Sequence, residues 1–239
     1  MIKQEIMDIL HRARINGWLM EPEAKRVFAL AGLPVPRFAW AADLRESLQH
    51  AARIGYPLVA KVVSPAVVHK SEVGGVGVGI ADESQLRTFY ERVSGLPGFA
   101  GLLIEEMAAG MELIAGAKLD FQFGLIILLG IGGISVEVYD DVAIRMAPIC
   151  PADVEMMLRE LKGEKLLSGF RGKPAVNREK LVRVLVDFAA LVQEMVPYIA
   201  FIDLNPLLCS GEECIIADAR IMLNEIFVRT GGPDTSFVG

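Results

Sequence analysis

Cysteine is scarce in this sequence, and its three positions exclude two common kinds of site. Cys150, Cys209 and Cys214 match neither the spacing of a zinc site nor a dense disulfide framework, which favours a reducing compartment. The first residues alternate charged and apolar side chains and lack the continuous apolar core of a signal peptide. We therefore expect a cytoplasmic protein.

Excess positive charge and long apolar runs are also missing. The net charge is −6, whereas non-specific nucleic-acid binding requires a basic surface. The most apolar run, residues 123–136, contains four glycines and is too short to cross a bilayer. The glycines at 130, 132 and 133 do not form the spaced pattern of a dinucleotide loop, and no Walker A pattern occurs. We expect neither a nucleic acid nor a membrane as partner.

The hydrophobic content predicts a well-packed protein of one large domain or two compact subdomains. Hydrophobic residues make up 53% of the 239 residues and charged residues 23%. Helical and strand patterns mix without strict βαβ alternation, which predicts an α+β fold or a two-lobed α/β arrangement. Capping patterns at Asp43 and Asp82 predict helices that end at Gly55 and near Val93. Two short strands, residues 201–208 and 214–219, are predicted to close the chain.

Residues 58–76 carry the strongest sign of a binding site. Lys61 interrupts an apolar run that predicts a buried strand, and a buried lysine is costly unless an anionic group meets its charge. Gly74 and Gly75 follow, and glycines allow a backbone to approach a ligand closely. The pattern predicts a phosphate site made of a strand lysine and a glycine loop. The alternative is a lysine on the solvent face of an edge strand.

His69 lies in the same loop, next to Lys70. Neutral imidazole is a nucleophile near pH 7, which makes His69 a candidate acceptor of a phosphoryl group. The alternative is a loop histidine without a chemical role.

A short predicted strand, residues 102–107, ends in Glu105, Glu106 and Met107. Its backbone could present a carbonyl and an N–H to the edge of an adenine, as hinges between lobes do. Glu112 follows Gly110 and is a candidate ligand for ribose hydroxyls. The alternative is an ordinary strand end with solvated carboxylates.

The ends of the two closing strands carry Asp203, Asn205, Asp218 and Arg220. If these strands are neighbours, Asn205 and Asp218 meet at one point, and an amide oxygen with a carboxylate suits Mg²⁺ when waters and phosphate oxygens complete its coordination. Arg220 would then face a transferring phosphoryl group. The alternative is an Asx-turn at Asp203 and an ordinary surface Asp218.

The ordered set of these motifs resembles the ATP-grasp beta subunits of ADP-forming acyl-CoA synthetases. This is the family of ADP-forming acetate–CoA ligase, which is related to the succinyl-CoA synthetase beta chain. The similarity runs from about residue 21 to residue 221. It rests on residues 23–25 and 32–36, Lys61-Val62-Val63-Ser64-Pro65, His69-Lys70-Ser71-Glu72-Val73-Gly74-Gly75-Val76, residues 106–107, 112–114, 122–124, 130–137 and 169–172, Asp203-Leu204-Asn205-Pro206-Leu207, and Asp218-Ala219-Arg220-Ile221.

The resemblance implies an ATP-grasp fold in which two α+β lobes enclose the nucleotide. It divides the chain into an N-terminal helix (1–20), an N-terminal lobe with the glycine-rich phosphate loop (21–101), a C-terminal lobe with the magnesium site (102–230) and a flexible tail (231–239). The implied reaction converts acyl-CoA, ADP and phosphate reversibly into carboxylate, ATP and CoA through acyl phosphate and phosphohistidine. A CoA-binding alpha subunit is the implied partner, in an α2β2 assembly.

The resemblance also assigns roles to the candidate residues. ATP or ADP and Mg²⁺ are the implied cofactors. His69 would carry phosphate, with Arg220 and Asp203 as further catalytic residues, and Asn205 and Asp218 would bind the metal. The implied nucleotide-binding residues are Lys61, Gly74, Gly75, Glu105, Glu106, Met107 and Glu112.

The sequence departs from the family pattern at three positions. Phe201 stands where an acidic residue is expected, and Leu119 and Phe121 flank Asp120 where arginine and proline are usual. These changes bear on partner docking and on the nucleotide cleft. Two other functions stay open: a stand-alone ATP-grasp ligase that joins a carboxylate to an amine or thiol, and a non-catalytic module that senses nucleotide or binds a partner. The sequence does not identify the acyl group or the choice between ADP and GDP.

Overall fold

The computed structural model describes residues 2–67, 69–133, 141–169 and 174–234 of the chain. Parts of several predicted features lie outside these ranges, among them residue 68 of the stretch 58–76, the stretch 130–137, the stretch 169–172 and the tail 231–239. The described chain forms two compact units. The larger unit comprises Met1–Leu19, Glu23–Val35 and Ala109–Gly239, and the smaller unit comprises Met20–Pro22 and Pro36–Ala108. The division of the sequence at residues 20, 101 and 230 remains a prediction about lobes.

The smaller unit is a four-stranded antiparallel sheet with two helices. Its strands are β2 (Phe38–Ala41), β3 (Leu58–Val62), β4 (Val76–Ile80) and β5 (Leu102–Glu106), in the order β2–β5–β3–β4. Its helices are α3 (Leu44–Ile54) and α4 (Glu83–Val93). Asp43 and Asp82 cap these helices by accepting hydrogen bonds from the N–H groups of Glu46 and Gln85, as predicted. Apolar residues of both helices and of β3 and β5 form one core.

The larger unit contains a seven-stranded antiparallel sheet in the described part of the chain. Its strands are β1 (Trp18–Leu19), β6 (Met111–Asp120), β7 (Gly124–Ile131), β8 (Val142–Met146), β9 (Ile199–Cys209), β10 (Cys214–Ile216) and β11 (Ala219–Leu223). They run in the order β1–β11–β9–β6–β7–β8, and β10 also pairs with β9. The long strand β9 is therefore hydrogen-bonded to β6, β10 and β11.

The helices of the larger unit pack with its strands in one apolar core. They are α1 (Gln4–Ala13), α5 (Pro151–Glu160), α6 (Glu164–Leu167), α7 (Arg178–Met195) and α8 (Glu225–Thr230), together with most of α2 (Glu21–Ala31). Helix α7 shows how the sequence determines this packing, because its buried residues recur every three or four positions: Leu181, Leu185, Phe188, Val192 and Met195. None of the helices in the described ranges is long and apolar enough to span a membrane.

The end of the chain differs from the predicted pair of closing strands. The predicted strand 214–219 is two strands, β10 and β11, which are separated by Ala217 and Asp218. The N–H groups of Ala217 and Asp218 both donate to the carbonyl oxygen of Pro206, at 3.1 and 3.3 Å. Proline has no N–H to donate, so the ladder with β9 is interrupted at this point and resumes beyond it. The interruption places Asp218 immediately before β11.

Candidate functional site

Lys61 is buried, as predicted, but carboxylates rather than solvent surround its ammonium group. It lies in β3, which is an inner strand, so the alternative of an exposed edge strand is wrong. Its Nζ lies 2.5 Å from Glu21 Oε1 and 3.0 Å from Glu105 Oε2, and both glutamates are also buried. Buried charges require partners of this kind. A phosphate that approached Lys61 would meet an ammonium group already held between two carboxylates.

Lys70 joins the same cluster from the glycine loop. Its Nζ donates to Glu21 Oε2, so one carboxylate contacts two lysines. The sequence analysis assigned no role to Glu21 or Lys70. The signal available was the buried lysine itself, which demands an acidic partner but does not say which of the chain's carboxylates supplies it. Only the fold selects Glu21, which is 40 residues from Lys61 along the chain.

The glycine loop is attached to β3 through Gly75. The N–H of Gly75 donates to the Lys70 carbonyl oxygen at 2.7 Å, and its own carbonyl oxygen accepts from the N–H of Val62 at 2.8 Å. A Cβ at position 75 would lie 2.5 Å from Val62 Cγ1, so only glycine fits there. Gly74 has φ +66°, a conformation that favours glycine. Both glycines are therefore required by the backbone of this loop.

The side chain of His69 is exposed to solvent, whereas that of the next residue, Lys70, is partly buried. Its side chain is 72% exposed, and its Nδ1 lies 3.9 Å from Glu72 Oε1. Nδ1 faces this carboxylate. The 3.9 Å distance is too long for a hydrogen bond, and the exposed imidazole is accessible to a phosphoryl group.

The three residues at the end of β5 have different environments. Glu105 pairs with β2 and β3 on either side, and its carboxylate binds Lys61. Glu106 donates its N–H to the Arg37 carbonyl oxygen at 3.0 Å and accepts from the Arg37 N–H and Nε at 2.8 and 2.6 Å. Burial tends to raise the pKa of Glu106. The hydrogen bonds from Arg37 and its positive charge outweigh this effect, so the pKa lies below its usual value. Met107 lies beyond the last residue of the strand, and its side chain is partly exposed.

The residues predicted to bind magnesium are brought together by β9 and β11. Asp203 is the cross-strand partner of Arg220, and the N–H of Asn205 donates to the Asp218 carbonyl oxygen at 3.2 Å. Side chains two residues apart on a strand share a face, which groups Asp203 with Asn205. Asp203 lies within β9, so the alternative of an Asx-turn there is wrong. Oxygen ligands of this kind suit Mg²⁺.

Arg220 has a buried donor with no hydrogen-bond partner among the described residues. This donor is its Nε–H, while the guanidinium carbon lies 5.8 Å from the centre of the Trp18 ring. A buried polar group without a partner costs free energy, and arginine binds phosphate oxygens readily. The side chain is thus suited to an anion at this end of the sheet.

The pKa of Asp203 is raised above the usual value for an aspartate. Desolvation and, secondly, the Asp218 carboxylate raise its pKa, while the Arg220 guanidinium acts in the opposite direction. A cation placed between the two carboxylates would relieve this repulsion. Within the described residues, no group of three or more His, Cys, Asp or Glu residues forms a metal site by itself. A metal held by Asn205 and Asp218 would therefore need further ligands besides these two residues.

Two further residues of the larger unit border these strands. Glu112 lies in β6, its carbonyl oxygen accepts from the N–H of Gly132 at 2.8 Å, and a Cβ on Gly133 would lie 3.5 Å from its Oε2. Of the glycine-rich residues 130–133, Gly130 and Ile131 belong to β7. Lys25, which the sequence analysis left without a role, is fully buried and donates to the Ala217 carbonyl oxygen at 2.7 Å. It supports the backbone just before Asp218.

The model of the ATP-grasp domain matches residues 10–223 of this chain. The chain belongs to the ATP-grasp family. It is 38% identical over 225 residues to the beta subunit of ADP-forming acetate–CoA ligase I from Pyrococcus furiosus, a match that covers 90% of this chain and 97% of that subunit. The predicted family and the predicted α+β ATP-grasp fold are therefore confirmed.

Solved structures with the same fold include complexes with nucleotide analogues. Dinucleotide-forming acetyl-coenzyme A synthetase 1 from Candidatus Korarchaeum cryptofilum, in complex with coenzyme A, Ca-AMPCP and HgCl⁺, has a TM-score of 0.86 and 38% identity, and the match covers 91% of this chain and 99% of that one. Another structure of that enzyme contains coenzyme A and Mg-AMPPCP, with its phosphohistidine segment pointing towards the nucleotide binding site. It has a TM-score of 0.81 and 38% identity, covering 92% of this chain and all of that one.

Proposed function

We propose that this chain is the nucleotide-binding beta subunit of an ADP-forming acyl-CoA synthetase. With a CoA-binding alpha subunit it would convert acyl-CoA, ADP and phosphate into carboxylate, ATP and CoA, reversibly. The observation that carries the proposal is the exposed His69 next to Lys70, whose ammonium group shares the Glu21 carboxylate with buried Lys61. A stand-alone ligase of this fold does not need an accessible histidine beside its phosphate-binding lysines.

In this proposal the smaller unit supplies the phosphate-binding and adenine-binding groups. Lys61 contacts phosphate, and the loop with Gly74 and Gly75 carries His69. The backbone that follows Glu105 and Glu106 receives the adenine edge, chiefly at Met107, because the N–H of Glu106 already donates to the Arg37 carbonyl oxygen. Neutral His69 attacks the phosphorus, an N–P bond forms and the P–O bond to the leaving carboxylate or nucleotide breaks.

The larger unit supplies the residues that bind the metal and those that stabilise the negative charge of the transferring phosphoryl group. Asn205 and Asp218 provide an amide oxygen and a carboxylate, and Asp203 lies on the same face as Asn205. Bound Mg²⁺ offsets the negative charge of the phosphates. Arg220 contributes its unpaired buried donor to a phosphate oxygen. Glu112 binds ribose hydroxyls.

The partner follows from the relatives that this chain resembles. The Pyrococcus furiosus protein is a beta subunit, and this chain matches nearly all of it. We infer a hetero-oligomer with an alpha subunit that binds CoA, with α2β2 as the proposed stoichiometry and the cytoplasm as its location. The acyl pocket would lie largely on that alpha subunit.

The decisive experiment follows the phosphoryl group. The chain is incubated with Mg²⁺ and ATP labelled at the γ-phosphate, with and without the alpha subunit, and protein-bound phosphate that is labile in acid and stable in base is measured. We expect label on His69. The variant His69→Ala should lose both the label and turnover with the partner, while the rise in melting temperature with Mg·ADP persists.

Two other results would count against the proposal. Turnover by His69→Ala with the alpha subunit would show that His69 is not a phosphate carrier. A non-catalytic module would show Mg·ADP binding that is insensitive to Asp218→Asn, together with no turnover in the presence of any alpha subunit.

Nucleotide binding itself is measured by the stability of the protein. At a nucleotide concentration of about 100 times its dissociation constant, binding should stabilise the protein by about 2.7 kcal/mol.

A further inference from the structure

We propose that Glu21 is a positioning residue that links the loop of His69 to the lysine of the phosphate site. The inference rests on the proposed function, since it concerns how His69 is presented for phosphoryl transfer. Glu21 belongs to the short segment Met20–Pro22 of the smaller unit, the same unit as Lys61 and the glycine loop. Its carboxylate uses one oxygen for each lysine.

The partly buried side chain of Lys70 anchors a loop in which His69 and residues 71–73 are exposed. Its side chain is 17% exposed, whereas that of His69, the preceding residue, is 72% exposed. Lys70 reaches the Oε2 atom of Glu21, and Glu21 Oε1 lies 2.5 Å from Lys61 Nζ. The residue next to His69 is therefore linked through Glu21 to Lys61, the group that would contact phosphate.

The loop has two separate connections to β3. One is the backbone path from the Lys70 carbonyl oxygen through Gly75 to the N–H of Val62. The other is the side-chain path from Lys70 through Glu21 to Lys61. The backbone path contains no charged group, whereas an anion near Lys61 would compete with Glu21 for the same ammonium group. The side-chain path can therefore respond to phosphate.

The charges of the cluster make this response strong. Two lysines and two glutamates (Glu21, Lys61, Lys70 and Glu105) have formal charges that cancel, and all of them except Lys70 are buried. Charge interactions are stronger away from water, so a phosphoryl group near Lys61 disturbs a balanced set. The hold of Glu21 on Lys70 then depends on whether phosphate is present. This gives the loop a tethered and a released arrangement.

The test uses Glu21→Gln, which keeps the shape of the side chain and removes its charge, and Lys70→Gln, which removes the other end of the link. Labelling of His69 by Mg·ATP should slow by about 10- to 100-fold in each variant, the range expected when a reacting group loses its orientation. Because the phosphate of Mg·ADP competes with Glu21 for Lys61, Glu21→Gln should bind Mg·ADP at least as tightly as the parent chain does, so weaker nucleotide binding cannot explain the slower labelling. The double variant should be no slower than either single variant, because both break one link.

Two comparisons separate positioning from a purely structural effect. Lys70→Arg keeps the charge that Glu21 contacts and should recover most of the labelling rate. The control Glu83→Gln removes an exposed carboxylate that binds Arg87 in the same unit and should leave labelling unchanged. The proposal is overturned if the labelling rate of the single variants falls only in proportion to their loss of melting temperature, whichever residue is changed.

Hydrogen–deuterium exchange of residues 69–75 provides a readout that does not depend on catalysis. Glu21→Gln and Lys70→Gln should speed exchange in this loop, while Glu83→Gln should not. Unchanged exchange in both link variants overturns the proposal even if His69 is labelled normally in the parent chain. Absence of label in the parent chain with its alpha subunit would instead count against the proposed function, and the exchange result would still decide whether Glu21 tethers the loop. If Glu21→Gln does not fold, Lys70→Gln decides both measurements.

Discussion

Asp203 and Arg220 are direct cross-strand partners in the antiparallel pair β9–β11. Desolvation and the nearby Asp218 raise the pKa of Asp203, and the Arg220 guanidinium partly offsets this effect. Arg220 itself has a buried Nε–H without a hydrogen-bond partner in the described part of the chain. The pair therefore combines a carboxylate that a cation would stabilise with a donor that an anion would satisfy. Magnesium and phosphate together meet both needs.

The first prediction concerns Arg220. Arg220→Met should lower turnover with the alpha subunit by about 10³-fold, since an arginine that meets the charge of a transferring phosphoryl group has effects of this size. Arg220→Lys keeps the charge but loses the Nε–H and should recover only part of the rate. Steady-state kinetics check both values, with Arg229→Met, which removes an exposed arginine paired with Glu225, as the control. Full activity of Arg220→Met would contradict the assigned role.

The second prediction is the pH dependence that Asp203 causes. Because its pKa is raised in the folded state, the folded protein holds this proton more tightly than the unfolded chain does. Its contribution to stability is therefore greatest below the ordinary value of 3.8 and falls as the pH rises through the raised folded-state value. Asp203→Asn mimics the protonated form, so it should be more stable than the parent at neutral pH.

Urea unfolding at several pH values measures this difference. The gain from Asp203→Asn should shrink as the pH falls toward the ordinary value for aspartate, and Mg·ADP should stabilise the parent more than the variant. The matched control is Asp187→Asn, at an exposed residue of α7. An advantage for Asp203→Asn that is equal at all pH values would show that the raised pKa is not its cause.

The third prediction concerns Lys61 and its two glutamates. Lys61→Met leaves the carboxylates of Glu21 and Glu105 buried without the ammonium group between them, and breaking a buried ion pair in this way costs about 3–5 kcal/mol. The midpoint of urea unfolding should fall accordingly. Lys165→Met, at an exposed position of α6, is the matched control and should change stability by less than about 0.5 kcal/mol. Equal stability of the two variants would mean that the cluster contributes little.

The fourth prediction concerns the close packing at Gly75. An alanine methyl group there would lie 2.5 Å from Val62 Cγ1 and 3.0 Å from the Lys70 carbonyl oxygen. Gly75→Ala should lower the free energy of unfolding by about 1–3 kcal/mol, as overpacked sites do, and should also slow the labelling of His69. Gly95→Ala in the same unit meets no atom within 4 Å and should be neutral or slightly stabilising. Chemical denaturation and phosphate labelling together check this prediction.

Local sequence patterns were sufficient for several elements of the fold. The capping residues Asp43 and Asp82 predicted the starts of α3 and α4, because a short side-chain oxygen accepts from an N–H three residues on. Strand β5, Leu102–Glu106, was predicted to within one residue, as 102–107. The break between β10 and β11 was missed. It arises from how residues 214–219 pair with β9 on either side of Pro206, and strand pairing depends on residues that are not neighbours in sequence.

The sequence by itself determined the family, the α+β fold and the burial of Lys61. These follow from ordered motifs and from the apolar residues around the lysine, which are local properties of the chain. The tertiary structure decided which groups surround that lysine. Glu21 precedes it by 40 residues and also binds Lys70, a pairing that no spacing rule predicts. A buried ammonium group needs carboxylates nearby, but only folding determines which carboxylates come within reach, because contact depends on the paths of α2, β3 and β5 and not on distance along the chain.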